Sequence, residues 1–199
     1  MNIFERLYKE LRRKYGKPSG QWTLWCKRPK TEKEREEVII GAILTQRTNW
    51  KNVELAMSNL KRERANSLRR ISQLGPKKLS FLIKSSGFYK VKAGYLFYLA
   101  RFILENQMRT SHVRKIKELR EGLLKLKGIG PETADSILLY ALDKPIFVID
   151  EYTRRLVKKQ GLANNLSYVS LQELFEKNLR KDFRLYQDFH SLIVIDGKG

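Results

Sequence analysis

Two acidic residues and two tryptophans in this 199-residue chain sit in settings that suggest chemistry. Asp150 ends the apolar run Ile146-Phe147-Val148-Ile149 and opens the polar stretch Glu151-Tyr152-Thr153-Arg154-Arg155. A carboxylate at a helix start accepts from the free N–H groups there, and most such residues are only caps. Held ionised beside a substrate, the same group stabilises a developing positive charge or orients an attacking water. Glu132 comes after Gly128-Ile129-Gly130-Pro131. It favours the positive end of a helix dipole, and it can also attract a cationic ligand. Trp22 and Trp25 lie in a segment broken by Gly16, Pro18, Gly20 and Pro29. Their indoles serve either as hydrophobic anchors or as stacking faces for a base.

The elements that must position these groups are helices. Gly128 and Gly130 tolerate positive φ and leave no side chain between backbone and partner. N–H groups at such a turn, and at the start of the next helix, suit a phosphate oxygen. Ile129 can plug the flanking helices together. The first of these runs from Val113 to about Leu126. The second runs from Pro131, at its favoured first position, to Ala141, with Ala134, Ile137, Leu138 and Ala141 on one face. The pair occupies 113–141. Lys115, Lys117, Arg120, Lys125 and Lys127 stud its basic side. Alone, a Gly-x-Gly turn is a helix connection and a charge run is a solvated face; side by side they read as a nucleic-acid contact.

Composition agrees. Lys+Arg 41 against Asp+Glu 21 gives a net charge of +20. Such a balance implies a polyanionic partner, although RNA or an anionic membrane surface would satisfy it equally. No run of eighteen apolar residues exists, so a membrane span is not expected. The first segment is an amphipathic helix with Asn2 and Glu5 as a capping box, not a signal peptide. Thr31 and Glu34 form a second box before a helix to Leu44 that ends nearly all apolar, as a central helix does. Asn49 caps a helix to about Leu60; shorter ones run from Asn66 to Leu74 and from Pro76; a long one ends near Asn106. Helices over 171–179 and 183–194 close the chain. Cys26, the only cysteine, excludes an intrachain disulfide, and with His112 and His190 far apart there is no zinc pattern.

Four stretches carry a resemblance: Leu126-Lys127-Gly128-Ile129-Gly130, Val148-Ile149-Asp150-Glu151-Tyr152, Gly41-Ala42-Ile43-Leu44-Thr45-Gln46-Arg47-Thr48-Asn49-Trp50, and Gly87-Phe88-Tyr89-Lys90-Val91-Lys92-Ala93. Together they resemble the helix-hairpin-helix GPD superfamily of DNA glycosylases, the endonuclease III-like group. The order of residues from Lys127 to Thr153 is most similar to its 3-methyladenine DNA glycosylase subgroup. The resemblance implies an all-α fold. One helical lobe would cover 31–126 and a second 1–30 plus 131–199, with a cleft between them, as a single unit of 1–199. It implies that Asp150 is the catalytic carboxylate. Lys127, Gly128, Ile129, Gly130 and Thr133 would hold DNA at the hairpin. Gln46, with Arg47 beside it, would fill the gap left by a flipped base. Trp22, Trp25 and Glu132 would line the base pocket.

Two departures shape the expected activity. Members that also cleave the strand carry a lysine two residues after the second hairpin glycine, and this chain has Glu132 there; a carboxylate forms no imine. The resemblance therefore implies a hydrolase of alkylated purines without lyase activity. A bifunctional enzyme using Lys127 or Lys144, and a noncatalytic DNA-binding module, remain the alternatives. Many relatives end in a four-cysteine iron–sulfur loop, which one cysteine cannot build. No cofactor is expected, apart from a monovalent cation at the carbonyls of 127–130. The expected partner is double-stranded DNA with damaged bases, met by a monomer in the cytoplasm at the nucleoid.

Overall fold

The computed structural model describes residues 1–106 and 116–198. They form α1 (Ile3–Tyr15), α2 (Trp22–Trp25), α3 (Glu32–Leu44), α4 (Trp50–Arg62), α5 (Leu68–Leu82), α6 (Tyr89–Glu105), α7 (Ile116–Leu124), α8 (Pro131–Ser136), α9 (Glu151–Lys159), α10 (Tyr168–Asn178) and α11 (Phe183–Lys198). The fold is all-α, with no strand among the described residues. No helix among them is long and apolar enough to cross a membrane. The expected start of the first hairpin helix at Val113, with His112 and Lys115, lies outside the described residues.

Polar side chains set the helix starts. Asn2 accepts from the Glu5 N–H at 3.0 Å while Glu5 accepts from the Asn2 N–H at 3.3 Å. Thr31 and Glu34 repeat the reciprocal cap on α3. Asn49, Ser67, Asp150 and Ser167 each accept an N–H three residues on, and so open α4, α5, α9 and α10.

The chain forms two compact units: Met1–Arg28 with Leu138–Gly199, and Pro29–Ile137. In the first, α1 packs on α10 and α11, and α9 on α11. Its core is aromatic: the Phe147 ring stacks on Phe175 at 4.4 Å, and Phe4 meets Phe175 edge-on at 4.9 Å. The run Ile146–Ile149 has strand-like composition but pairs with no strand. Its Phe147 N–H donates to Glu176 Oε1 at 2.8 Å, and its carbonyl accepts from Gln172 Nε2 at 2.7 Å. Side chains of α10 thus satisfy a buried backbone that a sheet would otherwise have to pair. The segment around the tryptophans, expected to be irregular, contains one helical turn, α2.

In the second unit α3 is the central helix, and Val38, Ile40, Ile43 and Leu44 are all fully buried. Gly75, at φ 72°, kinks α5 so that Pro76 begins its second half. Lys92 on α6 is buried, its Nζ donating to Leu44 O at 2.8 Å and Ser86 O at 2.6 Å. Burial lowers its pKa to about 8.

The second hairpin helix is not uniform to Ala141. It is α-helical through Ser136 and then widens into a π-turn over Ile137–Ala141. The widened turn frees carbonyls that find other donors. Leu138 O accepts from the Lys144 N–H at 2.9 Å, and Leu139 O from Gln187 Nε2 at 2.7 Å.

Candidate active site

The extended run 146–149 delivers Asp150 to the start of α9. Its Oδ1 accepts from the Thr153 N–H at 2.8 Å and from Thr153 Oγ1 at 2.9 Å. Its Oδ2 lies 3.5 Å from His190 Nε2. The Asp150 side chain keeps 13% of its surface exposed and that of His190 4%. Burial works against ionising this carboxyl, but the His190 imidazole and the Thr153 hydrogen bonds outweigh it, and the group is held below the ordinary carboxylate range. The result is an ionised, nearly dry carboxylate with one oxygen fully engaged and one turned to an imidazole.

Around His190 the first unit gathers its aromatic side chains. Trp22 meets the imidazole edge-on at 5.9 Å, and Trp22 and Trp25 lie 5.4 and 5.3 Å from the Tyr140 ring. Both tryptophans are buried. Tyr140 OH lies 2.7 Å from His190 Nδ1 and 3.3 Å from Gln187 O. Burial, and then nearby negative groups, raise the phenol well above its usual value, so it stays neutral. From sequence, His190 reads as a structural residue and Tyr140 as part of an apolar helix. The one available signal is the histidine within Phe189-His190-Ser191-Leu192-Ile193-Val194.

The second unit builds the hairpin. Gly128 sits at φ 83°, and a Cβ there would overlap the Tyr95 ring. Ile129 is buried. Gly130 is exposed, with φ −88° and ψ 177°, and a Cβ there would meet nothing. The fold itself thus needs Gly128 but has no steric need for Gly130. Arg120 Nε and Nη2 bind Asp135 Oδ1 and Oδ2 at 2.7 and 3.0 Å, joining α7 to α8. That ion pair engages Arg120, one of the residues of the expected DNA-facing stripe, whereas Lys117, Lys125 and Lys127 are exposed.

Gln46 meets the hairpin. Its Nε2 donates to Gly128 O at 3.0 Å and Thr133 Oγ1 at 3.1 Å. One carbonyl of the stretch 127–130 is therefore already engaged by an amide. Arg47 comes next, at φ 49°, and is exposed. Glu132 is exposed in the first turn of α8, in this second unit, whereas Trp22, Trp25 and Asp150 belong to the first. Among the described residues no three His, Cys, Asp or Glu side chains group as metal ligands. With Cys26 alone, the chain does not fit a four-thiolate iron–sulfur cluster.

The chain is similar to known proteins in sequence and fold. A candidate DNA repair glycosylase of Methanocaldococcus jannaschii is 47% identical over 165 residues, 80% of this chain and 75% of its own. Endonuclease III of Thermotoga maritima is 29% identical over 156 residues, 77% of this chain and 70% of its own. Among solved structures, the H. pylori 3-methyladenine DNA glycosylase bound to 1,N6-ethenoadenine superposes with a TM-score of 0.79 at 30% identity, covering 100% of this chain and 98% of its own. The family model of the HhH-GPD superfamily base excision DNA repair protein matches residues 40–181, a span that holds the Gln46 turn, the hairpin and Asp150. That match covers most of the chain, and the chain belongs to the HhH-GPD superfamily of base excision DNA repair glycosylases.

Proposed function

We propose that this protein is a monofunctional DNA glycosylase that hydrolyses the N-glycosidic bond of alkylated purines, 3-methyladenine among them, with Asp150 as its catalytic carboxylate. The observation that carries the reading is the state of Asp150: ionised, nearly dry, and fixed through Oδ1 by Thr153. Hydrolysis of the C1′–N bond passes through an oxocarbenium-like sugar, which an anion fixed near C1′ stabilises. The bond breaks with its electron pair leaving on the base. Water then adds to C1′ and gives up a proton, with Asp150 orienting the attack.

A duplex hides this bond, so the nucleotide must leave the stack at a cost of about a few kcal/mol. The hairpin at Lys127, Gly128, Ile129 and Gly130, with Thr133, grips a phosphate, while the Ile129 N–H is held within the turn by Leu126 O at 3.1 Å. Gln46, docked on that hairpin, enters the gap left by the base, with Arg47 on the backbone beside it. The net charge of +20 supports binding to double-stranded DNA.

The base preference rests on charge. A 3-methylated adenine carries a delocalised positive charge and departs as a neutral base, so no acid is needed to protonate it. Trp22 and Trp25 supply aromatic faces and Glu132 a negative charge for such a cation. The H. pylori glycosylase named for 3-methyladenine supports this choice. Glu132 in place of the imine-forming lysine favours hydrolysis without strand cleavage.

Release of free bases from methylated duplex DNA, with strand breaks scored before and after alkali, tests the reading. Release of 3-methyladenine with breaks only after alkali is the expected result. Breaks without alkali would assign lyase chemistry to a lysine such as Lys127 or Lys144. Tight binding with no release of any damaged base would leave a binding module.

A further inference from the structure

We propose that Tyr140 and His190 are positioning residues for Asp150: Tyr140 sets the His190 imidazole so that an Nε2–H faces Asp150 Oδ2 and fixes that oxygen for the reaction. The proposal rests on the reading of Asp150 as the catalytic carboxylate.

Oδ1 of Asp150 is engaged twice by Thr153, so Oδ2 is the oxygen free to act on a substrate. Its polar neighbour is His190 Nε2 at 3.5 Å, and that nitrogen is buried with no hydrogen-bond partner among the described residues. A buried imidazole nitrogen without a hydrogen bond is costly unless it serves the group it faces. Which nitrogen carries the proton is decided at the other end of the ring.

There Tyr140 OH lies 2.7 Å from Nδ1 and 3.3 Å from Gln187 O. If the imidazole is neutral, the phenol donates to Nδ1, and the ring proton must sit on Nε2. If the imidazole is charged, Nδ1–H donates to the phenol oxygen, the phenol donates to Gln187 O, and Nε2 again carries a proton. The remaining arrangement, with Nδ1–H and a bare Nε2, sets a lone pair against a carboxylate and is disfavoured. The phenol hydroxyl can reverse its role because Gln187 O stands by as a second acceptor. In both charge states of His190 an N–H therefore faces Asp150.

The ring has little freedom to turn. Trp22 and Phe147 meet it edge-on, at 5.9 and 6.3 Å. Tyr140 itself is fully buried and lies in the π-turn over Ile137–Ala141, which Gln187 stabilises through Leu139 O. The side chains that face the imidazole are thus Asp150, Tyr140, Trp22 and Phe147, and Asp150 is the acidic one among these four.

The test combines single-turnover base excision from methylated duplex DNA with 15N NMR of the imidazole. The variants are Tyr140→Phe, His190→Leu, His190→Gln and Asp150→Asn. In the wild type the NMR is expected to report a protonated Nε2. Tyr140→Phe should mix the tautomers and slow excision by about tenfold at unchanged DNA affinity, since small misplacements of a reacting group carry costs of this order. His190→Leu should lose more, and the acid limb of its pH–rate profile should move to higher pH. His190→Gln, whose amide nitrogen reaches the Nε2 position, should recover part of the rate but not the acid limb. A wild-type Nδ1–H tautomer would overturn the proposal. So would wild-type excision by His190→Leu and Tyr140→Phe, or equal losses in His190→Leu and His190→Gln. If those variants excise normally while Asp150→Asn is inactive, the positioning proposal fails and the Asp150 reading stands. If Asp150→Asn excises normally, the reading beneath both fails.

Discussion

Gln46 and Thr133 lie 87 residues apart in sequence, and the amide of the first donates to the hydroxyl of the second at 3.1 Å. The same amide nitrogen donates to Gly128 O. The residue expected to fill the vacated base stack is thus tethered to the turn expected to hold the phosphate. On the proposed roles, gripping and filling would be mechanically joined. Gln46→Ala should lose about 1 kcal/mol of stability, the net worth of such hydrogen bonds. It should also weaken trapping of an extrahelical nucleotide more than it weakens binding of intact duplex. Fluorescence of a 2-aminopurine placed at the flipped position separates the two effects. Thr133→Val removes one of the two contacts and should fall between Gln46→Ala and wild type.

The two hairpin glycines should respond differently to a methyl group. Gly128→Ala forces an L-residue to φ 83° and drives its Cβ into the Tyr95 ring. Strain and overpacking together should cost about 2–4 kcal/mol, visible in urea unfolding. Gly130→Ala has open space and an extended φ, so its stability should stay within about 1 kcal/mol of wild type. If Gly130 meets a phosphate, its DNA affinity should fall all the same. A stable Gly130→Ala that binds DNA normally would remove Gly130 from the interface.

Asp150 predicts a dependence on acid. Its folded-state pKa lies below the ordinary value, so the unfolded chain binds that proton more tightly. The stability it contributes is complete above the unfolded value of about 3.9 and is lost as pH falls through the folded one. Asp150→Asn should flatten this limb in acid unfolding monitored by circular dichroism. It should abolish excision while leaving DNA binding intact, since the asparagine still caps α9.

Lys92 predicts a dependence of the same sense in the alkaline range. With its folded-state pKa at about 8, the unfolded chain holds the proton more tightly between that value and about 10.4. Stability should therefore rise with pH across this window, and the rise should vanish in Lys92→Met. That variant leaves Leu44 O and Ser86 O without their donor and should be less stable at pH 7.

The ion pair across the hairpin makes a further prediction. Asp135 is fully buried and Arg120 about a quarter exposed. Removing one partner of such a pair costs up to about 3–5 kcal/mol, and Asp135→Ala should approach the lower figure because water reaches the arginine it abandons. Hydrogen exchange should rise in α7 and α8 first.

Most of the helices could be read from local chemistry. Asn2, Thr31, Asn49 and Asp150 announce helix starts because a cap needs only the residues next to it. Gly75-Pro76 announces the kink in α5 for the same reason. The constellation around Asp150 was legible only in part. Asp150 and the tryptophans stood out by type and setting. His190 and Tyr140 did not, because their meaning is a distance of 2.7 Å across 50 residues of chain. Lys92 stood out only as part of the Gly87–Ala93 stretch, one of 41 basic residues, and its burial against two carbonyls left no mark in the sequence. The widening of the second hairpin helix left no mark either, since Ile137 to Ala141 is apolar enough for either helical form.

That widened turn gives the molecule a frame of reading. An ordinary helix advances about 100° per residue and a π-turn less, so the widened turn sets the direction in which Tyr140 leaves the helix. Deleting a single residue from Ile137–Ala141 would leave a continuous, well-formed helix while rotating Tyr140 away from His190. Such a variant would keep its hairpin and its helices but lose the register that sets the imidazole against the carboxylate. Within this segment length is under stricter constraint than sequence: substitutions among apolar residues should be tolerated, whereas a one-residue gap should not.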